Sequence, residues 1–275
     1  MKAIIIIPAR YNSSRFPGKP LALIAGKSML QRTYETAQKA CTQLPNTAIL
    51  VATDDQRICD HCEMLAMPFI LTPKDCPTGT DRTWAAVQQQ SKQSDIILNL
   101  QGDAPLTPPH FISALIHKLQ SDATIKIATP VIQLSWQALD QMRQAKQKSP
   151  FSGTTAIIDQ HDKALWFSKN IMPAIRNEEE LRQQTQFSPI YRHIGLYAYR
   201  HELLATYVNL AQTPYEQYEG LEQLRLLEHG YPIHTVKVHH EEDLMTSGID
   251  TLQDLQRADQ WLRKYDEARP QPRKA

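Results

Sequence analysis

The sequence predicts an α/β fold with a mostly parallel central sheet. Short apolar runs, rich in Ile and Val, alternate along the chain with helix-length amphipathic stretches. Apolar runs of this kind are typical of strands covered on both faces, and their alternation with helices indicates βαβ units. A chain of 275 residues with 41% hydrophobic side chains is long enough for one large α/β domain or two small ones.

The first half of the chain carries the clearest elements. Five apolar runs predict strands: Ala3–Ile7, Ala48–Ala52, Phe69–Leu71, Ile96–Leu100 and Lys126–Val131. Four amphipathic stretches predict helices between or after them: Met29–Ala40, Asp55–Leu65, Asp81–Gln90 and Pro109–Gln120. Ser28 precedes the first of these helices and is a suitable N-cap.

The second half predicts a more antiparallel insertion. Its strand candidates are Thr155–Ile158, Ala164–Phe167 and Leu196–Tyr199, with a further strand at Ile233–Val238. Its helix candidates are Tyr215–His229, ended by Gly230, and Thr251–Tyr265, while the polar stretch Arg176–Gln186 is an exposed helix or a loop. We find no internal repeat and no sharp domain boundary, so we expect a single domain over residues 1–266 and a frayed tail over 267–275.

Composition excludes several classes of protein. Thirty basic against 29 acidic residues argue against a nucleic-acid partner. No apolar run is long enough to span a membrane, no signal peptide is recognisable, and four cysteines are too few for a disulfide scaffold. We therefore expect a reduced cytoplasmic protein without a membrane partner.

Basic residues are concentrated near the N-terminus, which holds seven basic side chains and one acidic side chain in residues 1–40. The segment Pro8–Pro20 follows the first predicted strand and offers hydroxyls together with Arg10, Arg15 and Lys19. A loop after the first strand of a doubly wound sheet lies at the carboxyl edge of the sheet, where ligands bind. A triphosphate needs fixed hydrogen-bond donors and cations, which this loop offers. By composition alone, an ordinary basic surface loop is as good an interpretation. The spacing is that of neither a Walker A loop nor a Gly-x-Gly-x-x-Gly motif.

Two aspartates stand at positions suited to a metal. Asp103 comes just after the predicted strand Ile96–Leu100, and Asp250 follows a loop after Ile233–Val238. Carboxylates from distant segments can hold Mg2+ through oxygen atoms, although a lone aspartate at a strand end is often a turn former or a helix cap. By contrast, Cys59 and Cys62 lie on an apolar helix face with no second pair, which favours buried core over a zinc site.

Several separate blocks of the sequence resemble the 3-deoxy-manno-octulosonate cytidylyltransferase family, whose members make a CMP-activated acidic sugar. The first block is Pro8-Ala9-Arg10-Tyr11-Asn12-Ser13-Ser14-Arg15-Phe16-Pro17-Gly18-Lys19-Pro20-Leu21. The later blocks follow in the family's order: Val51 to Asp55, Thr78-Gly79-Thr80-Asp81-Arg82, Asn99-Leu100-Gln101-Gly102-Asp103, Arg192 to Tyr199, Leu221-Glu222-Gln223-Leu224-Arg225 and Gly248-Ile249-Asp250-Thr251. The resemblance covers roughly residues 3–258.

The resemblance implies a Rossmann-like three-layer nucleotide-diphospho-sugar transferase fold. It also implies transfer of CMP from CTP to the anomeric hydroxyl of 3-deoxy-manno-octulosonate (Kdo), with Mg2+ as cofactor and lipopolysaccharide synthesis as the purpose. An insertion at about residues 150–200 would bind sugar and form a homodimer.

Roles follow from the resemblance residue by residue. The implied catalytic set is Arg10, Lys19 and Asp103, and the implied metal ligands are Asp103 and Asp250. The implied nucleotide site consists of Pro8, Ala9, Arg10, Ser13, Ser14, Lys19, Thr78, Gly79, Arg82 and Gln101. The implied sugar site consists of Gln101, His193, Tyr197, Glu222 and Gln223.

Three positions depart from the family's pattern. Ala104 replaces a glutamate, Thr155 stands where a lysine is customary, and Lys169 replaces an arginine. Since only arginine forks onto both oxygens of a carboxylate, these changes bear mainly on sugar recognition. Alternative functions therefore stay open. The acceptor could be a related acidic sugar, such as an amino-substituted octulosonate, or a sugar 1-phosphate, and the nucleotide could be another than CTP. The protein could also be a non-catalytic nucleotide-binding protein.

Overall fold

The computed structural model describes residues 1–12, 16–91, 93–239, 248–249 and 251–268 of the chain. Over these residues the chain forms twelve strands and ten α-helices, and ten of the strands belong to one large sheet. The predicted α/β class is confirmed. Over the same residues, no helix is long and apolar enough to cross a bilayer.

Most elements lie close to their predicted positions. The strands are β1 (Ala3–Ala9), β2 (Leu23–Ile24), β3 (Lys27–Ser28), β4 (Thr47–Thr53), β5 (Phe69–Leu71), β6 (Ile96–Asn99), β7 (Ile127–Ser135), β8 (Thr154–Ile158), β9 (Ala164–Ser168), β10 (Phe187–His193), β11 (Tyr197–Arg200) and β12 (His234–Lys237). The helices are α1 (Met29–Cys41), α2 (Gln56–Met64), α3 (Gly79–Gln88), α4 (Pro109–Ser121), α5 (Trp136–Lys148), α6 (Glu178–Gln184), α7 (His201–Tyr207), α8 (Pro214–Glu219), α9 (Leu224–Glu228) and α10 (Leu252–Ala268).

The chain falls into two compact units. Unit 1 consists of Met1–Ile4, Lys92–Leu98 and His110–Leu244, and unit 2 consists of Ile5–Ser91, Asn99–Pro109 and Met245–Ala275. The prediction of a single domain over residues 1–266 stays a prediction. Helix α10 runs to Ala268, and the remainder of the predicted tail lies outside the described residues.

Unit 2 contains β4, β5 and most of β1, three of the strands that the sequence predicts in the first half of the chain. The isoleucines of β1 from Ile5 to Ile7 are fully buried, as expected for a strand covered on both faces. Strand β4 pairs in parallel with β5, placing Val51 opposite Phe69. Helix α1 begins where the sequence indicates, because the Ser28 hydroxyl accepts the N–H of Gln31 at 3.0 Å.

Unit 1 contains the antiparallel part. Strand β7 pairs antiparallel with β10 and β11 and parallel with β12, while β8 pairs antiparallel with both β10 and β9. The predicted antiparallel insertion is therefore confirmed. Strand β10 was not predicted, since its mixed polar sequence with Pro189 lacks the continuous apolarity of the other strands.

The prediction of one helix over Tyr215–His229 is wrong. The segment forms two short helices, α8 and α9, and Gly220 ends α8 with a φ of +62°, in the left-handed region. A glycine adopts this conformation without the steric cost that other residues incur, so it breaks the helix where the amphipathic pattern continues. The chain turns here, and Glu222 and Gln223 lie between the two helices.

Candidate functional site

The first loop leaves β1 and is closed by backbone contacts. Pro8 and Ala9 are buried at the end of the strand, and Arg10 is exposed. The N–H of Gly18 donates to the carbonyl of Tyr11 at 2.9 Å, with Gly18 at a φ of +73°. This turn leads directly into a 3₁₀ turn over Lys19–Leu21. The predicted nucleotide ligands Ser13 and Ser14 lie outside the described residues.

Lys19 and Asp103 are brought together. The Lys19 ammonium lies 2.7 Å from an Asp103 carboxylate oxygen, and the lysine side chain is mostly buried. This pair joins the first loop to the segment after β6, so two predicted catalytic residues meet at the edge where parallel strands end. Asp103 thus lies where a cation is already held, and its carboxylate suits a hard metal ion as well.

The segment that precedes Asp250 also lies against Asp103. The N–H of Ile249 donates to the Asp103 carbonyl at 2.9 Å. A Cβ added to Gly248 would lie 3.6 Å from an Asp103 carboxylate oxygen. The predicted metal ligand Asp250 itself lies outside the described residues. Over the described residues, no group of three or more His, Cys, Asp or Glu side chains forms a metal site.

Gly102 is required by a close backbone approach. A Cβ at this position would lie only 2.7 Å from the Pro8 carbonyl oxygen. Since that oxygen belongs to the backbone at the end of β1, it has little freedom to move. The Gln-Gly-Asp block therefore packs directly under the start of the loop, and the glycine allows this contact.

Helix α3 begins with a capping box. The Thr78 hydroxyl accepts the N–H of Asp81, whose carboxylate in turn accepts the N–H of Thr78. Gly79 follows the cap, and a Cβ there would lie 3.0 Å from the Gln101 side-chain oxygen. Thr78 is thus the N-cap of α3, and the two predicted ligands Gly79 and Gln101 are neighbours.

The Gln101 amide is oriented by a chain of side chains. Its Nε2 donates to Oδ1 of Asn99 at 3.2 Å, and Nδ2 of Asn99 donates to the Thr80 hydroxyl at 3.1 Å. Asn99 and Thr80 are fully buried, so this series of hydrogen-bonded side chains is rigid. Neither had been proposed as part of the site, although both stand inside the quoted sequence blocks.

Arg82 is buried with only 3% of its surface exposed. It donates to the Asp54 carboxylate at 2.9 Å, to the Thr72 hydroxyl at 2.6 Å and to the Pro73 carbonyl at 3.3 Å. These bonds fix its guanidinium at the wall of a pocket of about 290 Å³. The pocket is lined by Arg10, Asn12, Asp54, Asp55, Lys74, Cys76 and Arg82.

Charges in this pocket are partly neutralised. Asp54 is paired with Arg82, and Asp55 is paired with Arg57 at 2.7 Å. The hydrogen bond from Arg57 lowers the pKa of the Asp55 carboxyl below its usual range. With both carboxylates paired, the exposed Arg10 and Lys74 give the pocket an excess of positive charge, which suits an anionic ligand.

His193, in unit 1, is buried against strand β7. Its Nε2 lies 2.9 Å from the Thr129 hydroxyl, which donates its proton to the Leu196 carbonyl at 2.9 Å. Nε2 is therefore the protonated nitrogen, and Nδ1 is the acceptor. Burial, aided by the nearby Lys169 charge, lowers the pKa of His193 to about 3. The ring is neutral at physiological pH.

Tyr197 lies near this histidine, and the charge of Glu222 acts on Tyr197. The Tyr197 ring centroid is 5.6 Å from that of His193. Burial, with the charge of Glu222, raises the pKa of Tyr197 well above its usual value, so the phenol stays protonated. Three predicted sugar ligands are thus neighbours in one unit and present an imidazole, a phenol and a carboxylate.

Gln223 is buried with only 4% of its surface exposed. Its side-chain nitrogen has no hydrogen-bond partner among the described residues. A buried amide without an acceptor is costly, and a ligand oxygen would satisfy it. Of the predicted sugar ligands, Gln101 belongs to unit 2, and its place in the sugar site stays a prediction.

Arg225 and Glu216 form a buried ion pair beside the turn that carries Glu222, and the sequence did not predict it. Arg225 forms two hydrogen bonds with the buried Glu216, at 2.6 and 2.8 Å, and its guanidinium lies 4.6 Å from the centroid of the Tyr207 ring. The pair joins α8 to α9 on either side of the turn that carries Glu222. No local sequence signal distinguishes it from an ordinary pair of charges on a helix surface.

The two cysteines with zinc-like spacing are buried in α2, which confirms their interpretation as core. His61, between them in the sequence, bonds through Nε2 to the Ser28 hydroxyl at 2.7 Å. The cluster therefore packs α2 against the start of α1.

Comparisons with known proteins agree with this geometry. A profile of the cytidylyltransferase family matches residues 4–240. The 3-deoxy-manno-octulosonate cytidylyltransferase of Maricaulis maris (strain MCS10) is 42% identical over 237 residues, which cover 86% of this chain and 88% of the relative. The enzyme of the same name from Syntrophotalea carbinolica is 41% identical over 271 residues, which cover 96% of this chain and 99% of the relative.

A solved structure adds evidence at the level of the fold. The CMP:2-keto-3-deoxy-manno-octonic acid synthetase complexed with CTP matches with a TM-score of 0.81 and 34% identity, covering 96% of this chain and 100% of that chain. Family profile, relatives and structure agree over most of the sequence. The chain therefore belongs to the 3-deoxy-manno-octulosonate cytidylyltransferase family.

Proposed function

We propose that the protein transfers CMP from CTP to the anomeric hydroxyl of Kdo, giving CMP-Kdo and pyrophosphate for lipopolysaccharide synthesis in the cytoplasm. The observation that carries this proposal is the Lys19–Asp103 pair at 2.7 Å, in a chain that matches a CTP-bound synthetase over 96% of its length. The pair supports the proposal because it brings together a cation suited to phosphate and a carboxylate suited to a metal ion.

CTP binds in unit 2 in this proposal. Arg10 and Lys19 meet the triphosphate, and Arg82, held by Asp54, forms the wall of the pocket beside them. Phosphoryl transfer needs little covalent chemistry from the protein, so fixed charges and correct placement supply most of the rate. The rigid Gln101 side chain serves the same need, because its amide is already oriented by Asn99 and Thr80.

Mg2+ would be held by Asp103 and Asp250 together with phosphate oxygens and water. It would neutralise charge on the α-phosphate when bound. The Asp103 carboxylate fits this role because it already holds one cation, the Lys19 ammonium. The bond between Ile249 and the Asp103 carbonyl supports the approach of the second segment.

Kdo binds in unit 1 in this proposal, at His193, Tyr197, Glu222 and Gln223. The neutral imidazole accepts through Nδ1, the phenol donates or accepts, and the buried Gln223 nitrogen donates. Such a mixture suits a sugar whose hydroxyls each need a donor and an acceptor. The attacking anomeric hydroxyl displaces pyrophosphate from the α-phosphorus of CTP.

One departure favours a second candidate substrate. Lys169 stands where the family's arginine is customary, and its ammonium donates to the Thr154 hydroxyl at 3.2 Å. The lysine ammonium is a single point charge, so it tolerates a differently placed carboxylate better than a bidentate arginine guanidinium does. A related acidic octulosonate, such as an amino-substituted one, is therefore the alternative acceptor.

Pyrophosphate release tests the proposal. The purified protein with Mg2+ is given CTP, UTP, ATP or GTP, each with and without Kdo. We expect release only with CTP and Kdo together. Binding of CTP without release would favour the alternative sugar, and neither binding nor release would contradict nucleotidyl transfer altogether.

We expect the Asp103→Ala variant to lose about 10²–10³-fold in turnover, because one fixed charge of the reaction is removed. Steady-state kinetics with CTP and Kdo measure this. Asp60, an exposed carboxylate on α2, provides the matched control as Asp60→Ala. Wild-type turnover in Asp103→Ala would contradict the metal assignment.

We also infer a homodimer formed through the insertion at about residues 150–200. Phe151 and Leu165 in this stretch are 76% and 58% exposed, and Leu165 lies on β9, which pairs with β8. Large exposed apolar side chains of this kind mark contact surfaces when they cluster.

A further inference from the structure

The segment Ser168–Met172, which carries Lys169, is held by side chains at almost every peptide group. Glu219 accepts the Ser168 hydroxyl at 2.6 Å and the N–H of Lys169 at 2.7 Å. The Ser168 hydroxyl accepts the N–H of Asn170 at 2.9 Å. A segment bound in this way has little freedom to move, because two of these bonds fix main-chain N–H groups that a loop normally leaves to water.

Thr155 holds the far end of the same segment. Its hydroxyl donates to the Asn170 carbonyl at 2.6 Å and accepts the N–H of Met172 at 3.2 Å. Both hydrogen-bonding functions of the hydroxyl are therefore used on the backbone. Thr155, which replaces the family's lysine, thus holds the backbone of this segment in place. The sequence did not indicate this role.

Lys146, from α5, holds the carbonyl of Lys169 at 2.5 Å. The same ammonium also donates to the carbonyls of Gly153 at 3.2 Å and Pro150 at 3.3 Å, and to that of Ser152. Four backbone carbonyls from two loops thus converge on one cation. The peptide of Lys169 is held on both sides, at its N–H by Glu219 and at its carbonyl by Lys146.

The surroundings of Lys146 are positively charged. Burial and the charges of Lys169 and Arg192 lower the pKa of Lys146, and Glu219 opposes them. Keeping three cations close together costs free energy, which a bound carboxylate would recover. The cluster is therefore suited to the anionic end of an acidic sugar rather than to its hydroxyls.

We propose that Lys146 and Thr155 are positioning residues that hold the peptide of Lys169, so that its ammonium meets the carboxylate of the sugar. This inference rests on the proposed function. The family's lysine is replaced by Thr155 in this chain, and Lys146, which lies on α5, supplies a cation to the cluster in its place. Recognition of the carboxylate therefore depends on a helix that the sequence blocks do not include.

The test compares Kdo with its C1 carboxamide, which keeps the hydroxyls and lacks the negative charge. We expect Lys146→Met to raise the KM for Kdo about tenfold or more and to leave the KM for CTP within about twofold. The preference in kcat/KM for Kdo over the carboxamide should fall by a similar factor, because the lost interaction is specific to the carboxylate. Lys146→Arg should restore most of that preference.

Lys148→Met is the matched control, since Lys148 is an exposed lysine on the same helix, and we expect wild-type kinetics from it. Thr155→Val, which keeps the size of the side chain, should raise the KM for Kdo and speed amide exchange at Asn170 and Met172. This second variant keeps the test valid if Lys146→Met does not fold.

Two contrary results are distinct. An inactive wild type with CTP and Kdo would contradict the proposed function itself. An active wild type, with equal losses on Kdo and its carboxamide in both variants, would overturn the positioning role alone.

Discussion

At the residue scale, the nucleotide site depends on contacts too close for any larger side chain. The Pro8 carbonyl lies against Gly102, and the Gln101 amide lies against Gly79. Both glycines stand in sequence blocks that the family shares, so their presence could be read from the sequence. The reason for them could not, because it lies in the close approach of segments that are separate in the sequence, 94 residues apart for Pro8 and Gly102 and 22 residues apart for Gly79 and Gln101.

We expect Gly102→Ala to weaken CTP binding at least tenfold, because its Cβ would lie 2.7 Å from a backbone oxygen and force the first loop away from Asp103. Isothermal titration with CTP measures this. Gly195→Ala is the control, since a Cβ there meets nothing within 4 Å. Unchanged CTP affinity in Gly102→Ala would show that the loop can shift without cost.

His193 makes stability depend on pH. Its pKa is about 3 in the folded protein and about 6.5 when unfolded, so the unfolded chain binds the extra proton. The contribution is fully present above pH 6.5 and is lost as the pH falls towards 3. Between pH 7 and pH 4 it amounts to about 3 kcal/mol.

Urea unfolding at these two pH values tests this for the wild type and His193→Gln. We expect the variant to lose less stability on acidification than the wild type. The difference between the two proteins isolates the histidine, because all other titrating groups are common to both. Equal losses would mean that the ring is protonated in the folded state.

At the element scale, α8 and α9 show how a glycine turn and a buried ion pair interrupt a helical pattern. The amphipathic periodicity continues through Gly220, but the chain turns there and the Glu216–Arg225 pair joins the two pieces. The hydroxyl of Tyr207 also donates to the Glu222 carbonyl at 3.4 Å. The turn between the helices is therefore fixed on both sides, and it carries the predicted sugar ligands.

We expect Arg225→Met to lower the free energy of unfolding by about 3–5 kcal/mol, because it leaves the Glu216 carboxylate buried without a partner. The double variant Glu216→Gln/Arg225→Met should recover part of this loss. Chemical denaturation measures both. Lys126→Met, which removes an exposed ion pair with Glu202, should cost less than about 1 kcal/mol.

At the scale of the whole molecule, charge and exposure differ between parts of the chain. Basic residues are concentrated in the first 40 positions of the sequence, and Phe151 and Leu165 of the insertion are among the large exposed apolar side chains. The first pattern could be read from the sequence as a binding site for a small anion. The second could not, since an apolar side chain gives no sign of whether its own chain covers it.

The inferred homodimer gives a prediction at this scale. We expect the wild type to have twice the 31.4 kDa mass of the chain by light scattering, and Leu165→Glu to shift the mass to that of a single chain. A buried carboxylate at an apolar contact is costly, which is the reason for the shift. Leu71→Glu, at an exposed leucine outside the insertion, is the control and should leave the mass unchanged. A monomeric wild type would contradict the dimer.

The sequence by itself determined the fold class, most strands and helices of the first half, and the family. These follow from local periodicity and from short blocks whose residues are neighbours in the chain. Tertiary structure alone decided the protonated nitrogen of His193 and the partners of Lys169. Each of these depends on atoms far apart in sequence: Thr129 sets the histidine, and Lys146, Thr155 and Glu219 hold one peptide group or its neighbours. Hydrogen bonds to side chains leave no periodic trace, so only the folded chain reveals them.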